Sequence, residues 1–232
     1  MNAVESAKHL LLQSGAGWIL WLLAGLSAAS LGVAVERWIF LRTRDADLER
    51  TARGLDGFLA DRDWTGAIER LEQHPTTAAA IAASGLRLAD RGPAAVEKAM
   101  LSAVALERRK LERGLAFLGT VGNNAPFVGL FGTVVGVIHA FEELGHSAPG
   151  HATAGAGQVA SQAVMASIAE ALVATAVGIL VALPAVAAFN YFQRRVASIL
   201  AGSEVLSNLV LAYLSSADAP APDGPGEVRR AG

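Results

Sequence analysis

The chain has no cysteine, which excludes disulfide scaffolds, thiol catalysis and Cys-ligated metals. Charge is scarce as well. Asp, Glu, Lys and Arg make up 17% of the 232 residues, against about 25% in ordinary soluble domains. Neither sign dominates: 19 basic and 21 acidic residues leave a formal charge of −2, so there is no electrostatic case for nucleic acid. Lys and Arg are absent from 114–193, where the only acids are Glu142, Glu143 and Glu170. The phosphate-binding GxxxxGK[ST] motif and the GxSxG, HExxH and GxGxxG motifs are also missing. No chemical enzyme is expected, and any energy input is expected from an ion gradient or a partner.

What remains is apolar. Hydrophobic residues reach 53% and the mean hydropathy is +0.40, the composition of a membrane protein. A hydrocarbon core about 30 Å thick needs about 20 apolar residues per helix. Three runs meet that length. The first predicts a transmembrane helix over 16–41, with Trp18 and Trp21 near one end and Trp38 near the other as interfacial anchors. A signal peptide is the competing reading, but the run is too long and the arginines follow it rather than precede it. The second run predicts a span over 115–141. The third predicts a span over 159–193 that continues past the bilayer, with a C-terminal helix over 194–217.

Between the first two spans, 42–114 alternates charges and carries helical spacings such as Trp64, Ile68 and Leu71. It reads as a water-facing helical domain. Residues 1–15 read as a segment outside the membrane, 142–158 as a Gly/Ala/His-rich loop on that same side (both periplasmic on the resemblance described below), and 218–232 as a disordered tail rich in Pro and Gly. The fold class expected is an all-α membrane protein with three transmembrane helices and long cytoplasmic helical extensions. Arg37, Arg42 and Arg44, then Arg108, Arg109, Lys110 and Arg113, then Arg194 and Arg195, border the same side of the three spans. The positive-inside rule puts 42–114 and the C-terminus in the cytoplasm and the N-terminus outside.

Glu170 is the most informative residue. Ionised and facing lipid inside the third span, it would cost at least a few kcal/mol. It is therefore expected at a helix interface, in a water-filled cavity, or protonated, and intramembrane carboxylates commonly mark ion pathways. Thr133 and Thr175 lie mid-span. Such hydroxyls often only bond back to their own helix, but antiparallel spans would bring both to similar depth, with Glu170 about 7 Å further out. The second span carries Gly119, Gly122, Pro126, Gly129, Thr133, Gly136 and Ala140 at 3–4 spacing, and Gly132 with Gly136 forms a GxxxG. The third span answers with small residues including Ala174 and Gly178. This stripe fits either close helix packing or the lining of a narrow pore, and a pore would require an oligomer. His139, His146 and His151 match no usual metal-ligand spacing, so no metal is expected. Asn123 and Asn124 are expected to make a helix-packing hydrogen bond.

Residues 118–141 (LGTVGNNAPFVGLFGTVVGVIHAF) and 165–192 (MASIAEALVATAVGILVALPAVAAFNYF) closely resemble the ExbB/TolQ/MotA proton-channel family. The resemblance implies an α-helical pentamer in the bacterial inner membrane, surrounding a dimer of single-span ExbD/TolR-type subunits whose membrane Asp carries protons. It implies a stator that turns the proton motive force into mechanical work for outer-membrane transport, envelope maintenance or gliding motility. A TonB/TolA-like or gliding-machinery protein would be a further partner, and protons the transported ion, with no cofactor. By motif, Glu170 matches the family's glutamate in AEAL, Thr175 the threonine of ATA, and Thr133 that of GLFGTV. Asn123 and Asn124 depart from the small residues more usual there. The alternative from another class is a passive membrane scaffold that stabilises a partner, with Glu170 structural.

Overall fold

The computed structural model describes residues 17–44, 48–73, 76–146 and 156–218. The segment expected over 1–15, most of the loop and the tail from 219 lie outside them. Every regular element among the described residues is helical. In chain order these are α1 (Gly17–Arg44), α2 (Leu48–Ala60), α3 (Trp64–Glu72), α4 (Thr77–Leu86), a 3₁₀ turn (Ala89–Arg91), α5 (Pro93–Leu111), α6 (Leu115–His146) and α7 (Ala156–Asp218). Three of them, α1, α6 and α7, are long and apolar enough to cross a membrane.

Two boundaries differ from the sequence reading. Helix α6 runs to His146 rather than ending at 141, because Glu142, Glu143 and Leu144 are good helix formers and no proline follows until Pro149. Helix α7 has begun by Ala156, inside the expected 142–158 loop, and continues without a break to Asp218. Pro126 and Pro184 sit inside α6 and α7. Membrane helices tolerate interior prolines because neighbouring groups satisfy the freed carbonyl.

The chain forms two compact units. The first comprises the membrane parts: residues up to Ile39 together with Gly114–Gln193. Its core is Ile19 and Leu23 of α1, Val121, Ala125 and Val135 of α6, and Val181, Ala182 and Ala185 of α7. Arg37 is buried here and ion-paired to its neighbour Glu36. Gly114 starts the re-entry of the chain with φ +78°, a left-handed conformation that L side chains rarely adopt. A Cβ there would also lie 3.2 Å from Val33 Cγ1.

The second unit comprises Phe40–Arg113 and the chain from Arg194 onward. Its core joins Leu55 and Leu59 of α2, Ala67 and Leu71 of α3, Ile81 and Leu86 of α4, and Val96 and Met100 of α5 with Leu206, Val210 and Leu214 of α7. Local signals set its helix starts. The Asp63 carboxylate accepts from Gly66 N at 2.9 Å, and Thr76 Oγ1 accepts from Ala79 N at 3.2 Å, each satisfying a donor that the first turn leaves open. Pro93 opens α5 after Gly92 at φ +87°.

Candidate functional site: a polar layer between the membrane helices

The small-residue stripe of α6 packs against α7 of the same chain. A Cβ added at Gly129 would meet Ala174 O at 2.7 Å, Thr175 Cα at 2.9 Å and Gly178 Cα at 3.2 Å. One added at Gly178 would meet Ala125 O at 2.7 Å. Gly122 faces the Val186 backbone and side chain, Gly132 faces Ala174 and Ile19, and Gly136 faces Ala171 and Ser167 O. Gly119 sits against the Phe189 ring. This close backbone approach is what small residues permit between membrane helices. Sequence alone left packing and lining open; within the chain the stripe packs. Pro126 is half-buried on the same helix.

These contacts fix the antiparallel register and so the depth of the polar groups. Thr175 lies against Gly129, and Ala171 against Gly136. Thr133, between Gly129 and Gly136, therefore falls at a level between Thr175 and Glu170. The three residues occupy a layer about 7–8 Å deep along α7.

Each group is held differently. Thr175 Oγ1 donates across the helix contact to Gly129 O at 3.0 Å. Such interhelical bonds contribute on average about 0.6 kcal/mol in membrane proteins. Thr133 Oγ1 donates to Leu130 O of its own helix at 2.6 Å. Both hydroxyls keep acceptor lone pairs. The Glu170 side chain is exposed on α7, in a stretch of the helix where Met165, Ile168, Leu172 and Val173 are exposed as well. Helix α1 closes one side: a Cβ at Gly17 would lie 3.2 Å from Glu170 Oε1. Trp18 meets Phe131 edge to face, with centroids 6.4 Å apart, and steadies α1 against α6.

Asn124 Nδ2 donates to Thr120 O of its own helix at 2.8 Å. Asn123 and Asn124 both lie on the outward face of α6, turned away from the α7 contact, so neither links α6 to α7. Of the three outer histidines, His151 and the His146 side chain lie outside the described residues. His139 pairs instead with Glu143, Nε2 to Oε1 at 3.5 Å. Among the described residues no three metal-ligating side chains come together. The α1 wall at Gly17 escaped sequence reasoning, since nothing local ties residue 17 to residue 170.

Against this geometry stand the relatives. The pattern of the MotA/TolQ/ExbB proton channel family matches residues 73–204, more than half of the chain. The chain belongs to that family. The family match takes in both membrane helices that carry the layer. Similar curated relatives include the Tol-Pal system protein TolQ of Pseudomonas aeruginosa, 45% identical over 100 residues, covering 43% of this chain and 39% of the relative. The biopolymer transport protein ExbB of Xanthomonas campestris pv. campestris is 42% identical over 106 residues, covering 46% and 38%. That of Neisseria gonorrhoeae is 45% identical over 86 residues, covering 37% and 35%. The aligned stretch thus spans about two-fifths of the length of these relatives.

Proposed function

We propose that this chain is a proton-channel and stator subunit of the bacterial inner membrane. In this reading it works as a pentamer around a dimer of single-span ExbD/TolR-type subunits and converts the proton motive force into mechanical work. The likeness to both TolQ and ExbB proteins supports a role of the Tol-Pal or biopolymer-transport kind, and gliding motility is a third possible use of the same machine. One observation carries the reading: a carboxylate exposed on an otherwise apolar membrane helix, in register with two threonines. Facing lipid, ionised Glu170 would cost at least a few kcal/mol. The reading supplies a water-filled or partner-lined cavity in its place. The partner's carboxylate is then the principal carrier, and Glu170, Thr133 and Thr175 shape the path with hydroxyls and held waters.

Proton flux tests it. The complex, purified with the proteins that accompany it and reconstituted in liposomes, is expected to admit protons when a potential is imposed. Thr133→Ala and Thr175→Ala should each slow the flux several-fold at equal assembly. Full flux in both would leave the hydroxyls structural. A passive scaffold is the second reading, favoured by one fact: both threonine hydroxyls already donate to backbone carbonyls.

The proposed orientation places residues 1–15 and the 142–158 loop in the periplasm and both 42–114 and the C-terminus in the cytoplasm. The natural absence of cysteine gives a clean background for labelling. A cysteine at 150 should react with an impermeant reagent from outside, and one at 90 should not. The reverse pattern would sink the orientation.

A further inference from the structure

A second polar cluster lies toward the loop ends of α6 and α7. The Glu143 carboxylate faces His139 Nε2 at 3.5 Å through one oxygen. Through the other it accepts from Ser167 Oγ, across the helix contact, at 3.2 Å. Both side chains of the pair are about one-third exposed, His139 at 33% and Glu143 at 32%. The opposite ring nitrogen differs: His139 Nδ1 is sealed from solvent and has no hydrogen-bond partner among the described residues. One imidazole thus has a nitrogen at a half-open carboxylate and another turned into the protein. The contacts toward α7 therefore run from His139 Nε2 through the Glu143 carboxylate to Ser167 Oγ, not through Nδ1.

Position gives the cluster its use. Ser167 is three residues from Glu170 on α7, about 4.5 Å along the helix, and its carbonyl borders Gly136. The order along the α6–α7 contact is His139 and Glu143, then Ser167, then Glu170, then Thr133 and Thr175. Among the described residues, the other titratable groups nearby are Glu142 on α6 and Glu170 on α7. From α1, residues 17–35 bring no charged or titratable side chain.

We infer that His139 and Glu143, with Ser167, form a proton-collecting station that feeds the polar layer. This rests on the proposed proton-channel function. The pair takes up one proton from the water at the loop end. Glu143 passes it on by way of Ser167 Oγ, and the Glu170 carboxylate accepts it and becomes neutral, which returns the pair to its starting charge. Ser167 holds the carboxylate toward α7 so that uptake and release face opposite ways.

The test uses the reconstituted complex with a pH-sensitive dye inside the liposomes, an imposed potential and weakly buffered medium outside. His139→Gln and Glu143→Gln are expected to slow proton uptake roughly tenfold or more, and Ser167→Ala less. Glu143→Asp should retain most of the flux. Millimolar imidazole outside should restore the slowed variants, because a mobile buffer replaces the station but does not repair a misfolded helix pair. Wild-type flux in both Gln variants overturns the inference, and so does a loss that imidazole leaves unchanged. Glu170→Gln is the separate arm. If it alone stops the flux, the station is wrong and the polar layer stands. If the wild-type complex passes no protons, both fall.

Discussion

Replacing Glu170 by Gln is expected to remove gradient-driven work while leaving insertion and assembly intact. Gln keeps the size and hydrogen-bonding reach of the side chain and loses only the exchangeable charge. A purely structural carboxyl, neutral and hydrogen-bonded, would tolerate that change. A group that tunes proton passage would not, and the loss should be on the order of a hundredfold, the scale on which placed acid–base groups act. Gly17 provides an independent handle on the same carboxylate. A Cβ at Gly17 already lies 3.2 Å from Glu170 Oε1, so Gly17→Val should displace it and cost several-fold in activity. Gly25→Val is the control, because nothing lies within 4 Å of a Cβ there. Potential-driven proton flux, read beside the yield of intact complex, decides the matter. Full activity in Glu170→Gln would make the layer structural and end the proton-path assignment.

Gly129→Leu is expected to be the most damaging single change to the fold of the membrane unit. The first added carbon would lie 2.7 Å from a carbonyl oxygen and 2.9 Å from a Cα of α7. Both are backbone atoms, so no rotamer change relieves the overlap. Overpacking of cores commonly costs about 1–3 kcal/mol where side chains can adjust, and here the cost should exceed that range. The displaced helix also breaks the Thr175 bond to Gly129 O. The measurement is thermal unfolding in detergent together with the amount of chain in the membrane. Gly25→Leu should leave both unchanged. A Gly129→Leu protein that melts like the wild type would show that α6 and α7 do not meet there.

The three membrane helices were legible in the sequence because charge-free apolar runs of that length have few other uses. The 3–4 spacing of Trp64, Ile68 and Leu71 likewise announced α3. Glu170 announced itself as an anomaly, a lone carboxylate in an apolar run. The role of the glycine stripe was not legible. Small residues at 3–4 spacing look the same whether the neighbour is a helix of the same chain or of another, and the answer lies in the register of residues some fifty positions apart. Asn124 shows a related limit: its position on the helix circumference, not its residue type, decides that it bonds Thr120 O within this chain. His139 and Glu143 were readable as an i, i+4 pair, but His139 was grouped with His146 and His151 instead. Ser167, from the other helix, depends on the same long-range register.

The join between Gly129 and Gly178 bears on where movement can occur. Backbones in contact, locked by a hydroxyl-to-carbonyl bond, leave α6 and α7 no slack to slide or roll against each other, since packed interiors yield little. The two helices behave as one welded strut. In the proposed stator, motion would then arise at the seams between copies, or between a copy and the partner it surrounds.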